Sequence, residues 1–221
     1  MSVQLVRHSP SKHQFNDRAE PFVRIRPFCD VPLQRLFMVR TLAATVFERQ
    51  VPGDIVDCQC GNGGISALLG HTAMTRGGGR HTWMLDTFEP RMNAPSAGRD
   101  GVACSIDCCR MAMQAVGVAD QDFTLLPGCY DRTFTFCEVE RIGVLRIGMA
   151  EAAIVRACLD RFFGRVQAGG LVLLERYGAS AECREAVDRF FLDHNRDARI
   201  EQIDDSAYRL FKSRVPYYEP V

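Results

Sequence analysis

Apolar and polar positions in this chain change period in a regular order, from helical spacing to short continuous runs and back. Leu33, Leu36, Phe37, Arg40, Leu42, Ala43, Val46 and Phe47 mark one amphipathic helix, with Asp30 as its N-cap and Pro32 in its first turn. VPGDIVDC then reads as a turn followed by a buried strand with Asp57 inside it. Gly61, Gly63 and Gly64 follow at once, and Ile65, Leu68 and Leu69 return to helical spacing until a glycine run after Arg76 ends the helix. HTWMLDTF predicts a second strand ending in Asp86, and Ser105 and Asp107 open a helix that runs to Gly117. Phe123–Pro127 and Ile142–Ile147 predict the third and fourth strands, and 150–166 a helix. Gly169 and Gly170 turn into a fifth strand, LVLLERYG, and Ser180 caps a helix running to about His194. RIEQID and AYRLFKS close the chain as a hairpin with one member antiparallel to the rest.

Strands alternating with helices predict an α/β fold, a doubly wound and mostly parallel sheet of about seven strands with helices on both faces. Residues 1–32, with Pro10, Pro21 and Pro27 and no steady period, read as an arm or lid; 33–213 as the domain; 214–221 as a tail. Residues 89–104 read as a loop beside the ligand mouth.

Composition narrows the picture modestly. Acids and bases balance at 27 each, so no global field favours nucleic acid or a membrane surface. No apolar run is long enough to span a bilayer, and the first residues lack the apolar core of a secretory signal. The 10 cysteines sit inside apolar patterns, which suits reduced thiols and a cytoplasmic protein. Cys58, Cys60, Cys108 and Cys109 match no common zinc spacing.

The chemistry concentrates at the carboxyl ends of the strands, where such sheets bind ligands near the point at which strand order reverses. A strand, a glycine loop and a helix let backbone approach a ligand that a β-carbon would push away. An acid ending the second strand, Asp86, suits the two hydroxyls of a ribose. Tyr130 follows the third strand, with stacking on the ligand and plain packing both open. Arg146, inside the fourth strand, must reach a carboxylate or the strand end, because burying it alone is costly.

Taken together, these blocks resemble the macrocin O-methyltransferase family. VPGDIVDCQCGNGG matches its VPGD-acid-glycine block, Asp86-Thr87-Phe88 its DSF-like strand end, and Leu145-Arg146-Ile147 its leucine-arginine strand. Gly169 through Gly178 match its glycine-glycine-strand-acid-acid-Tyr-Gly block. The resemblance implies a class I methyltransferase that uses S-adenosyl-L-methionine (SAM). Asp57, Gln59, Gly61, Gly63 and Gly64 would hold its methionine part, and Asp86, with Thr87 and Phe88, its ribose side. Tyr130 is a candidate aromatic face for the sulfonium.

Two departures stand out. Gln59 occupies a position that is usually glycine; a positive φ there would strain it by about 1–3 kcal/mol, and otherwise the loop takes another path and Gln59 becomes a contact. The family's three metal-binding carboxylates fall on Gly148, Glu175 and Arg176, so one carboxylate survives and no metal is expected. Arg176 then stands as a candidate fixed cation for an anionic nucleophile, and Glu175 as a candidate general base or amine-binding group. An internal ion pair of Glu175 with Arg176 or Arg146 is equally open.

The favoured expectation is a SAM-dependent, metal-independent methyltransferase of a small molecule in natural-product tailoring, with catalysis mainly by alignment. The alternatives are a SAM-using enzyme that cyclises the aminobutyrate arm and releases methylthioadenosine, or a methyltransferase-like binding module without chemistry. The apolar 33–47 helix and the arm suit a homodimer.

Overall fold

The computed structural model describes residues 20–89, 105–194 and 198–213. The first residues of the arm with His8 and His13, most of the 89–104 loop, and the tail lie outside them. The sheet is seven-stranded in the order β3-β2-β1-β4-β5-β7-β6. Its strands are β1 Asp54–Cys58, β2 Thr82–Asp86, β3 Phe123–Pro127, β4 Ile142–Ile147, β5 Val166–Leu174, β6 Glu201–Gln202 and β7 Tyr208–Phe211. The first five are parallel, while β7 runs antiparallel to β5 and β6 pairs antiparallel with β7. Strand order reverses between β1 and β4, which sets the switch point there.

The helices are α1 Leu33–Glu48, α2 Gly64–Arg76, α3 Ile106–Ala115, α4 Tyr130–Phe136, α5 Ala152–Phe162 and α6 Ala181–Asp193. Period-two alternation divides the strands between two cores. Ile55, Val144, Leu171 and Leu173 face α1, α2 and α3, whereas Val56, Cys58, Leu145 and Leu174 face α5 and α6. That split also separates Cys58 from Cys60 and Cys109, so the four thiols cannot converge on one ion; Cys60 and Cys109 lie with sulfurs 3.9 Å apart in the first core.

Ser105 and Ser180 cap α3 and α6 as expected, accepting from Cys108 N at 3.1 Å and Cys183 N at 3.2 Å. Asp30 does not cap α1: Pro32 is the N-cap residue, without a side-chain cap. The buried stripe of α1 is also turned from the expected one, taking in Val39 and leaving Leu33 and Phe37 about half exposed. The 150–166 helix is shorter than its apolar run suggested, because a 3-10 turn at Phe163–Arg165 leads straight into β5. Gly169 and Gly170 therefore lie inside β5 at a register shift against β4, with Gly169 at φ +83°. A β-carbon on Gly170 would sit 2.8 Å from the Gln167 carbonyl oxygen.

Residue 32 is not a packing boundary. Residues 20–25 are helical and run into a 3-10 turn at Arg26–Phe28, and Phe22, Ile25 and Cys29 are buried in the first core. Among the described residues no helix is long and apolar enough to cross a membrane.

Candidate active site

The loop after β1 turns in left-handed backbone at Gln59 (φ +73°), Gly61 (φ +58°) and Gly63 (φ +83°). Gln59 thus adopts the conformation that glycine would favour, and the loop keeps the expected path with a strained residue at its start. The three glycines serve different ends. A β-carbon on Gly61 would meet nothing within 4 Å. One on Gly63 would lie 2.9 Å from Cys109 Cα, and one on Gly64 would lie 2.5 Å from Cys29 Cβ and 2.7 Å from the Phe28 carbonyl oxygen. Only Gly61 keeps backbone open beside the cleft; the other two allow α3 and the chain before α1 to press against the first turn of α2.

Asp86 closes the loop from the neighbouring strand. Its Oδ2 accepts from Gly61 N at 2.9 Å and its Oδ1 from Phe88 N at 3.3 Å, with Phe88 at φ +55°. Thr87 Oγ1 accepts from Glu89 N at 3.4 Å. Gly61, Asp86, Thr87 and Phe88 are thereby brought together at the carboxyl ends of β1 and β2.

The other expected residues divide differently. Asp57, Arg146 and Glu175 share one parity of the sheet and meet beneath α1. Arg146 Nη1 donates to Asp57 Oδ1 at 2.7 Å and to the Gln59 carbonyl at 3.1 Å, and its Nε donates to Glu175 Oε1 at 3.2 Å. Ser66 Oγ donates to the second Asp57 oxygen at 2.5 Å. Arg35 Nη1 donates to Glu175 Oε2 at 3.3 Å, and its Nη2 donates to Asp204 Oδ1 at 2.8 Å while its Nε pairs with Asp204 Oδ2. A row of alternating charges, Asp57–Arg146–Glu175–Arg35–Asp204, therefore crosses the carboxyl edge from β1 to the hairpin. Burial opposes the charge on Arg146, but Asp57 and then Glu175 more than offset it and raise its pKa. Burial pushes the Asp57 carboxyl above its ordinary value against the pull of Arg146 and Ser66.

Asp57 has no exposed surface and both its oxygens are committed, so it supports the loop through Arg146 and offers no face to a ligand. The expected search by Arg146 for a carboxylate is met twice over. Of the two readings of Glu175, the geometry favours the ion pair, with Arg146, because each of its oxygens carries a guanidinium. Arg176 is exposed in the turn after β5. Tyr130 opens α4 and is 7% exposed, with its ring 5.7 Å from that of Phe134 in the second core, so packing accounts for it.

A hard dication does not fit the residues at the family's carboxylate positions. Gly148 has no ligand atom on a side chain, and a β-carbon there would lie 2.7 Å from the Gln59 carbonyl oxygen and 3.3 Å from Arg146 Nη1. Glu175 is taken by two guanidinium groups and Arg176 is itself a cation.

Arg35, Ser66 and Asp204 were not singled out in the sequence. Arg35 looks there like one more base on the polar side of α1, and its partners lie 140 and 169 residues away. A separate cleft of about 470 Å³, lined in part by Asp54, Arg80, Glu138 and Arg141, opens at the amino ends of β1 and β4. That is the edge of the sheet away from the glycine loop.

The model of the macrocin O-methyltransferase family matches residues 27–211. The 8-demethyl-8-(2,3-dimethoxy-alpha-L-rhamnosyl)-tetracenomycin-C 4'-O-methyltransferase of Streptomyces olivaceus is 27% identical over 190 residues, 80% of this chain and 72% of that protein. The demethyldecarbamoylnovobiocin O-methyltransferase of Streptomyces niveus is 24% identical over 176 residues, 72% of this chain and 66% of that protein. Among solved structures, the O-methyltransferase NovP superposes with a TM-score of 0.75 at 20% identity, covering 88% of each chain, which supports the fold. With so much of its length under the family model, the chain belongs to the macrocin O-methyltransferase family, whose members are SAM-dependent methyltransferases.

Proposed function

We propose that this chain transfers the methyl group of SAM to an oxygen of a small natural-product acceptor, and that it does so without a divalent metal. The observation that carries the cofactor reading is the contact between Gly61 N and Asp86 Oδ2 at 2.9 Å. It joins a loop glycine to a strand-end carboxylate beside the switch point. Both Asp86 oxygens accept backbone amides and Thr87 Oγ1 lies 3.5 Å from Oδ1, which holds the carboxylate at the strand end, where the two hydroxyls of a ribose would reach it. The amides after β1 face the methionine arm, and Thr87 and Phe88 flank the adenosyl side. An oxygen acceptor is inferred from the relatives, whose names describe O-methylation of tetracenomycin and novobiocin compounds.

In this reaction the acceptor oxygen attacks the methyl carbon along the line of the breaking carbon–sulfur bond. S-adenosylhomocysteine leaves and the acceptor gives up its proton. The charge row holds the β1 loop, β4 and β5 rigid, so that alignment supplies much of the rate. Glu175 takes part through Arg146 and Arg35, and Arg176 is the exposed charge offered to the acceptor. Calorimetry with SAM and S-adenosylhomocysteine, with and without chelator, tests the assignment. Binding unaffected by chelator supports it, and absence of binding to either ligand would sink it. S-adenosylhomocysteine as product marks methyl transfer, whereas methylthioadenosine would mark internal displacement.

A further inference from the structure

The pairing of Arg35 has a purpose beyond neutralising Glu175. The chain before α1 lies against the helices that follow the first two strands. Arg24 Nη1 donates to the Ala115 carbonyl at the far end of α3, 2.9 Å away. Phe28 and Cys29 then reach the first turn of α2, where Gly64 leaves them room. Arg26 Nη1 donates to the Val31 carbonyl at 2.9 Å and folds the next turn. From there residues 26–35 pass over the carboxyl edge beside the glycine loop. At the end of this passage, Arg35 forks onto both oxygens of Asp204 and reaches the outer oxygen of Glu175. One guanidinium thus ties the start of α1 to the end of β5 and to the β6–β7 hairpin. A fork of this kind holds direction as well as charge.

We propose that Arg35 is a positioning residue that straps residues 26–35 across the carboxyl edge and so sets how tightly the cofactor loop holds SAM. The strap bears on the first turn of α2 at Gly64, and α2 carries Ser66, which holds Asp57. Releasing Arg35 therefore loosens the loop from its helix side while Arg146 still holds it from the strand side. The cofactor named here rests on the methyl-transfer reading; the strap itself rests on geometry alone.

The test uses the full chain with Arg35→Met, Arg35→Lys and Asp204→Asn. A control, Arg156→Met, removes the ion pair of Arg156 with Asp160 inside α5 and its pair with Asp193, which joins α5 to α6. Hydrogen exchange over residues 26–32 and 203–207 and the Kd for SAM are measured for each. Arg35→Met is expected to speed exchange in both segments and to weaken SAM by about tenfold. Arg35→Lys should recover part of the affinity, and Arg156→Met should change neither readout. Unchanged exchange in Arg35→Met, or in Asp204→Asn where Arg35→Met does not fold, would overturn the strap. Faster exchange with unaltered SAM affinity would overturn its link to the cofactor. A wild-type chain that binds no SAM would overturn the functional reading and the strap's link to a cofactor, leaving exchange to judge the strap.

Discussion

Asp57 and Arg146 are register partners on β1 and β4, and Arg146 Nη1 lies 2.7 Å from Asp57 Oδ1 at the place where strand order reverses. The pairing register and the ion pair therefore enforce one another. A shift of one residue would turn Arg146 into the second core, away from both carboxylates. Arg146→Met should leave Asp57 as an uncompensated buried charge and Glu175 with Arg35 alone, and cost about 3–5 kcal/mol of stability. Denaturant unfolding measures this, and adding Asp57→Asn to the variant should recover part of the loss.

Gln59 and Gly148 form a second matched pair. The left-handed turn at Gln59 aims its carbonyl at the space where a side chain on residue 148 would begin, 2.7 Å away. Gly148→Ala should cost about 1–3 kcal/mol through overpacking against backbone. Gln59→Gly, in contrast, should gain about 1 kcal/mol by relieving the left-handed strain. Thermal melts of the two variants are expected to move in opposite directions. A fall for Gln59→Gly would mean that its side chain contributes more than its backbone costs.

Asp86 gives the most direct test of the ligand site. Asp86→Ala removes the acceptor for Gly61 N and Phe88 N together with the proposed partner of the ribose. SAM and S-adenosylhomocysteine should each bind at least about tenfold more weakly, since hydrogen bonds to a charged group are among the strong ones. Calorimetry reads this directly. Equal affinity in the variant would remove Asp86 from the site.

Much of this was legible in the sequence because it rests on local rules. Short continuous apolar runs placed β1 to β4, serine caps began α3 and α6, and glycines marked the turn after β1. An arginine within IGVLRI announced a buried partner before the partner was known. The hidden part depends on distance along the chain. Asp57 read as a ligand contact because its neighbours Ser66 and Arg146 gave no sign that they would claim both its oxygens. Tyr130 stayed open between a ligand contact and packing because the seven residues of α4 are too few to show a helical period. Arg35 resembled a solvated base because nothing near it in sequence shows that Glu175 and Asp204 fold back to meet it.

The same row of charges predicts how the strap responds to acid. Burial alone would raise the Asp204 carboxyl, but Arg35 and the backbone amides of Ala207 and Ser206 lower it below its ordinary value of 3.8. A carboxyl whose folded pKa is depressed adds stability that is complete above the unfolded value and is lost as pH falls through the folded one. Asp57 has the opposite sign, because burial raises its folded pKa. Its contribution makes overall stability fall as pH rises from 3.8 through that higher value, after which it is constant. The two effects separate by place. Exchange over residues 26–32, corrected for the intrinsic effect of pH, should quicken only below about pH 4, where Asp204 releases Arg35. Asp204→Asn should show quicker exchange at neutral pH with no further step in acid. A wild-type strap that stays equally protected down to the unfolding transition would show that Glu175 alone holds Arg35 in place.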